Sequence, residues 1–112
     1  MAAKYELKPA KGGKFMFNLK AANGQVVLTS ETYDTKKAAE KGIASVMKNA
    51  ANDARYERKT TKKGESYFVL KASNGEPLGR SETYSTAKSM EKGVASVKKN
   101  GPDSRIDDLT LF

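Results

Sequence analysis

Phe17-Asn18-Leu19-Lys20-Ala21-Ala22-Asn23-Gly24 and Phe68-Val69-Leu70-Lys71-Ala72-Ser73-Asn74-Gly75 are one stretch written twice, and the pair decides the fold. Each alternates with period two, as a half-buried strand does, and each ends in Asn-Gly, the strongest short-range hairpin signal. Working outward, the match runs without a gap from Tyr5 to Asn49 and again from Tyr56 to Asn100. The offset is about 51 residues and roughly half of the aligned positions are identical, which marks a tandem duplication. One such unit buries too little surface to be comfortably stable, so the copies are expected to complete each other in one joint domain. Repeat one spans 1–53 (three strands and a helix) and repeat two 54–112 (three strands, a helix and a C-terminal strand).

Upstream of each hairpin lies a short first strand, around Tyr5-Glu6-Leu7 and Tyr56-Glu57-Arg58, turned by Gly12-Gly13 and Lys63-Gly64. Downstream, a third strand runs Val26 to Tyr33 and Pro77 to Tyr84, ending both times in Ser-Glu-Thr-Tyr. A helix follows, with Thr35 and Thr86 as N-caps. Ala39, Gly42, Ile43, Val46 and Met47 share one apolar face, and Met90, Gly93, Val94 and Val97 share its equivalent. Gly42 and Gly93 stand mid-helix, where glycine costs about 1 kcal/mol against alanine, so a close approach to the sheet is expected there. Glu40, Lys41 and Lys48 form a solvated face.

Composition removes whole classes of chemistry. The chain has no cysteine and no histidine, so thiolate metal sites, Ser-His-Asp and Cys-His arrangements are excluded. Neither a metal nor another cofactor is expected, and no catalytic residue is assigned. Glu31 and Glu82 read as cross-strand ion pairs rather than an acid/base pair. Nothing resembles a secretory h-region or a membrane span, so a cytoplasmic protein with no membrane partner is expected. The net charge is +8. Both repeat bodies are basic, whereas Asp53 and the tail (Asp103, Asp107, Asp108) are acidic.

A two-residue Asn23-Gly24 loop sets Leu19 opposite Leu28 and Phe17 opposite Ser30, beneath the helix. The other side then carries Met16, Asn18, Lys20, Val27, Thr29, Glu31 and Tyr33, and in repeat two Tyr67, Val69, Lys71, Leu78, Arg80, Glu82 and Tyr84. Met16, Lys20, Val27, Tyr67, Val69, Lys71, Leu78 and Arg80 form the candidate binding face, an apolar patch rimmed by cations. It suits two kinds of partner. Tyr67 can stack a base while Lys20, Lys71 and Arg80 meet phosphates of a nucleic acid or other polyanion. Alternatively, the patch packs against another protein or a second copy as a weak homodimer.

The order Tyr-Glu, Phe-x-Leu-Lys-Ala-x-Asn-Gly, Ser-Glu-Thr-Tyr and Glu-Lys-Gly-Ile/Val-Ala-Ser-Val resembles the YegP-like family of bacterial proteins (UPF0339), as a tandem-repeat member. The resemblance covers nearly the whole chain. It implies an α+β fold in which two β(3)-α-β repeats form a single antiparallel sheet with two helices on one face and C-terminal strands exchanged between repeats. It brings no established activity. If Arg105 to Leu109 is the exchanged strand, deleting residues 104–112 is expected to destabilise both repeats.

Overall fold

The computed structural model describes residues 2–111; Met1 and Phe112, the outermost residues of the two expected units, lie outside them. In chain order the elements are β1 (Lys4–Ala10), β2 (Lys14–Lys20), β3 (Val26–Ser30), α1 (Lys36–Asn49), β4 (Tyr56–Thr60), β5 (Ser66–Lys71), β6 (Pro77–Arg80), α2 (Ala87–Asn100) and β7 (Arg105–Asp108). A 3₁₀ turn, Asp53–Arg55, leads into β4. The seven strands form one sheet in the order β4-β5-β6-β3-β2-β1-β7. All its pairs are antiparallel except β1 with β7, which is parallel, so the sheet is mixed at one edge.

Alternation supplies the core. Tyr5, Leu7, Phe17, Leu19 and Leu28, with Phe68 and Leu70 of the second repeat, are wholly buried beneath Ile43, Val46, Val94 and Val97 of the helices. Both helices start where expected: the Thr35 hydroxyl accepts the Ala38 N–H and the Thr86 hydroxyl that of Ser89, each at 3.0 Å. Their C-terminal ends are held crosswise. Tyr5 of the first repeat donates to the carbonyl of Gly101 after α2 (2.7 Å), and Tyr56 of the second donates to that of Ala50 after α1 (2.6 Å). Each bond satisfies a carbonyl orphaned at a helix end. The repeated Tyr-Glu therefore ties the two halves together.

The last strand is exchanged. β7 follows α2 yet pairs with β1, Tyr5 beside Ile106 and Leu7 beside Asp108. Lys4 meets Asp107 (3.2 Å) and Lys36 meets Asp108 (2.6 Å). This cover explains why β1 carries a buried Leu7 where the uncovered edge strand β4 carries Arg58, exposed and paired with Glu91 at 2.6 Å. Removing 104–112 is expected to cost about 2 kcal/mol in one shared melting transition. A calorimetric scan in which only second-repeat structure is lost would refute this.

A pseudo-two-fold axis passes between β3 and β6, and it forces the copies to differ where a residue meets its own equivalent. Thr29 faces Arg80 across the axis, which avoids two like charges in register. Leu28 fills space that a Cβ on Gly79 would enter, 3.0 Å from the Leu28 Cγ. Ala50 meets Gly101, whose missing Cβ would fall 2.6 Å from that of Ala50.

Two local irregularities decide which face each side chain takes. The β2–β3 turn is not the expected two-residue loop. Gly24 N–H bonds the Ala21 carbonyl, Ala21 N–H bonds that of Gln25, and only Gly24 has positive φ (86°). A type I′ turn would need Asn23 there as well, so this is the three-residue loop with a glycine bulge. Lys20 consequently sits opposite Val26, and a bulge absorbs Val27 before Leu19 meets Leu28 as expected. Repeat two does the same around Gly75 and Leu78.

The second irregularity is the Ser-Glu-Thr-Tyr segment. The Ser30 hydroxyl accepts the Phe17 N–H (2.8 Å) and donates to the Glu31 carbonyl, and Ser81 repeats this with Phe68 and Glu82. The hydroxyl stands in for a ladder partner while Glu31 and Thr32 loop out, and Tyr33 then rejoins opposite Phe15. Ser30→Ala leaves a buried N–H unpaired and is expected to cost about 1–2 kcal/mol in urea melts, with Ser30→Thr recovering part of it.

Candidate binding face

The sheet side away from the helices is built on rows of paired residues. One row runs Glu57, Val69, Arg80, Thr29, Asn18, Glu6, Asp107 from edge to edge. Lys59 beside Tyr67 flanks it on one side, and Lys8 beside Met16 flanks it on the other, as the two-fold requires.

The expected lysines are present but engaged. Glu6, buried, gathers Lys20 at 3.0 Å, Lys4 at 3.4 Å and Lys8 at 3.8 Å. Its carboxyl is held below the usual range, first by the bond from Lys20. Glu57 does the same with Lys71 (2.7 Å) and Lys59 (3.7 Å), and its carboxyl is likewise lowered, chiefly by Lys71. Lys20 and Lys71 thus belong to ion clusters anchored on the first strands, not on Glu31 or Glu82. The latter two are exposed and make no ion pair among the described residues. Sequence reasoning missed these partners because Glu6 and Glu57 reach Lys20 and Lys71 only through the β1–β2 and β4–β5 pairing, diagonally across the strands.

Four side chains assigned to this face lie on the other. Val27 and Leu78 are buried in the helix-covered core, because the bulge turns each to the same side as its inward neighbour. Val27 lines a cleft with Tyr84 and Gly93 of α2, and Leu78 one with Tyr33 and Gly42 of α1. Tyr33 and Tyr84 also face the helices, since the residue inserted after Ser30 reverses the alternation. Tyr33 stacks on Phe17 with centroids 6.2 Å apart. Its ring fills the notch of Gly42, where a Cβ would fall 2.7 Å from the Tyr33 Cζ; Tyr84 and Gly93 repeat this at 2.9 Å. The mid-helix glycines therefore admit a tyrosine ring rather than sheet backbone. Burial raises the pKa of both phenols.

What remains on the open side is Met16, Tyr67, Val69 and Arg80. Met16, Tyr67 and Val69 are half-buried, and Arg80 is exposed with no carboxylate partner among the described residues. Tyr67 and Arg80 both line two shallow depressions. One, of about 400 Å³, is completed by Thr29, Thr61 and Thr83; the other, of about 350 Å³, by Glu57, Val69 and Lys71. Among the described residues no group of three or more carboxylates is placed to hold a metal ion, and no helix is long and apolar enough to cross a membrane.

Fold and face together define an α+β tandem-repeat protein with one sheet side covered by helices and the other open. The chain belongs to the family described as Domain of unknown function (DUF1508), whose pattern it matches twice, at residues 10–57 and 62–108. Each match takes in two strands, a helix and the strand after it, so β4 stands to the first repeat as β7 does to the second. It is 55% identical over 106 residues to a UPF0339 protein of Pasteurella multocida, covering 95% of this chain and 93% of that one. It is 49% identical over 110 residues to the UPF0339 protein YegP of Escherichia coli, covering 98% and 100%. The solution structure of the E. coli protein, of unknown function, superposes with a TM-score of 0.93 at 48% identity, over 100% of this chain and 97% of that one. A UPF0339 protein from Shewanella oneidensis gives 0.93 at 43%, over 99% and 94%.

Proposed function

We propose that the protein is a non-enzymatic binding module that takes a protein partner on the open sheet side, around Tyr67, Val69 and Arg80. The observation that carries this reading is the engagement of the lysines. With Lys20 held by Glu6 and Lys71 by Glu57, a phosphate backbone would have to break ion pairs to gain contacts. Tyr67 and Arg80, which line both shallow depressions, are of the residue types enriched in protein interface cores.

A photo-crosslinking residue at position 67 tests it. The expected result is one discrete protein adduct in cells, lost when Arg80→Ala is added and absent when the crosslinker stands at position 44 on α1. Nucleic acid on this face is the competing outcome. Amide shifts at Tyr67, Val69 and Arg80 that persist at physiological salt on adding short single-stranded RNA would replace the protein reading.

A further inference from the structure

The duplication allows a subtraction. Most residues identical in both repeats now have a reason in the fold: tyrosines that hold helix ends, serines in the ladder, glycines in turns or under tyrosine rings. A group on the outer side of the helices has none. Lys37, Lys41 and Lys48 of α1 recur as Lys88, Lys92 and Lys99 of α2. All six are exposed, and none has a carboxylate within 4.0 Å among the described residues. Meanwhile the buried side of the same helices has drifted, Ala39 to Met90 and Ile43 to Val94. Exposed helix positions are where substitutions change stability least, so they should diverge first. Here the exposed stripe is kept in full, while the buried side keeps Gly42/Gly93 and Val46/Val97 but changes at two positions.

Geometry makes these lysines a surface. On each helix they fall on one stripe, with Ala44 or Ala95 between, spanning about 16 Å along the axis. The pseudo-two-fold relates the two stripes. Glu40 is the one acidic residue on the outer side of α1, and its equivalent Glu91 is neutralised by Arg58.

We propose that the helix layer binds the phosphate backbone of double-stranded nucleic acid, without reading sequence, through Lys37, Lys41 and Lys48 and their equivalents in α2. Charge selects a polyanion. Two dyad-related cation rows fit a duplex, whose own backbones are dyad-related. The stripes present only lysine and alanine, so they offer no ring on which a single strand could stack and no large apolar side chain to enter a bilayer. This surface is opposite the sheet side and stands or falls separately from the protein-partner reading.

The test is fluorescence anisotropy with a labelled DNA duplex of mixed sequence, titrated at several salt concentrations. If all six lysines meet phosphates, log affinity should fall against log salt with a slope of about −5. Lys37→Gln, Lys41→Gln and Lys48→Gln together should reduce the slope to about −3, because three contacts remain. Lys20→Gln with Lys71→Gln should leave it unchanged. Because the six side chains are exposed and unpaired among the described residues, the variants should keep the wild-type amide spectrum. The proposal is overturned by no binding at low salt, or by a slope that responds to Lys20 and Lys71 instead. Tighter binding to single strands, or to vesicles of mixed phosphatidylcholine and phosphatidylglycerol, overturns it equally.

Discussion

Raising the pH above about 10 is expected to unfold this protein through two tyrosines, Tyr5 and Tyr56. Both rings are buried and both hydroxyls donate to helix-end carbonyls. Burial, the larger cause, raises both phenol pKa values well above 10; for Tyr5 the neighbouring Tyr56 adds to it, and for Tyr56 the carboxylate of Asp53 does. The folded state therefore keeps protons that the unfolded state releases. A group whose pKa is raised on folding contributes stability that is complete below the unfolded value and lost as pH climbs through the folded one. Each tyrosine removes about 1.4 kcal/mol per pH unit above its unfolded pKa, so together they remove roughly 5 kcal/mol by pH 12. Urea melts from pH 8 to 12 check this. Tyr56→Phe should lower stability at neutral pH but make the alkaline slope shallower, with Tyr5 and the raised Tyr33 and Tyr84 phenols supplying the rest. An unchanged slope would mean that lysine deprotonation governs the transition.

Gly101→Ala is expected to destabilise by about 3 kcal/mol, large for one methyl group on a helix end. The added Cβ falls 2.6 Å from the Ala50 Cβ and 2.7 Å from the Val97 carbonyl oxygen, neither of which is the tip of a flexible chain. Retreat is blocked on both sides, since each helix end is held by its tyrosine at 2.6–2.7 Å. Pro102 adds a third constraint, because a side chain before proline disfavours the helical backbone that Gly101 adopts (φ −58°, ψ −43°). Ala50→Gly relieves only the first of these. In a double-mutant cycle the pair should therefore couple favourably by more than about 1 kcal/mol without restoring wild-type stability. Strict additivity would show that the two helix ends do not press on each other.

Much was legible in the residues themselves. Strand alternation, the Thr35 and Thr86 caps and the apolar helix faces follow from local rules that act within a few positions, and a duplicated chain states them twice. The pairing of Leu19 with Leu28 and the exchange of the last strand were also within reach. The candidate face was legible only in part. Met16, Tyr67, Val69 and Arg80 stay where alternation puts them, but Val27, Leu78, Tyr33 and Tyr84 do not. Period-two reasoning carries a parity, and a single inserted residue inverts everything beyond it. Both inversions in each repeat come from one extra residue, after Val26 and Pro77 and again after Ser30 and Ser81.

By itself, then, the amino-acid sequence determined the tandem α+β architecture, most of the interior and the excess of positive charge, because these depend on neighbours along the chain. Only the tertiary structure decided where that charge is free. Lys20 and Lys71 look like binding residues until Glu6 and Glu57 from adjoining strands take them, whereas the repeated helix lysines meet no such partner among the described residues. It also decided why the copies differ at Leu28 and Gly79, at Thr29 and Arg80, and at Ala50 and Gly101. A two-fold axis brings each of these positions against its own equivalent, where two large or two like-charged side chains cannot both fit, and no reading of one repeat alone contains that encounter.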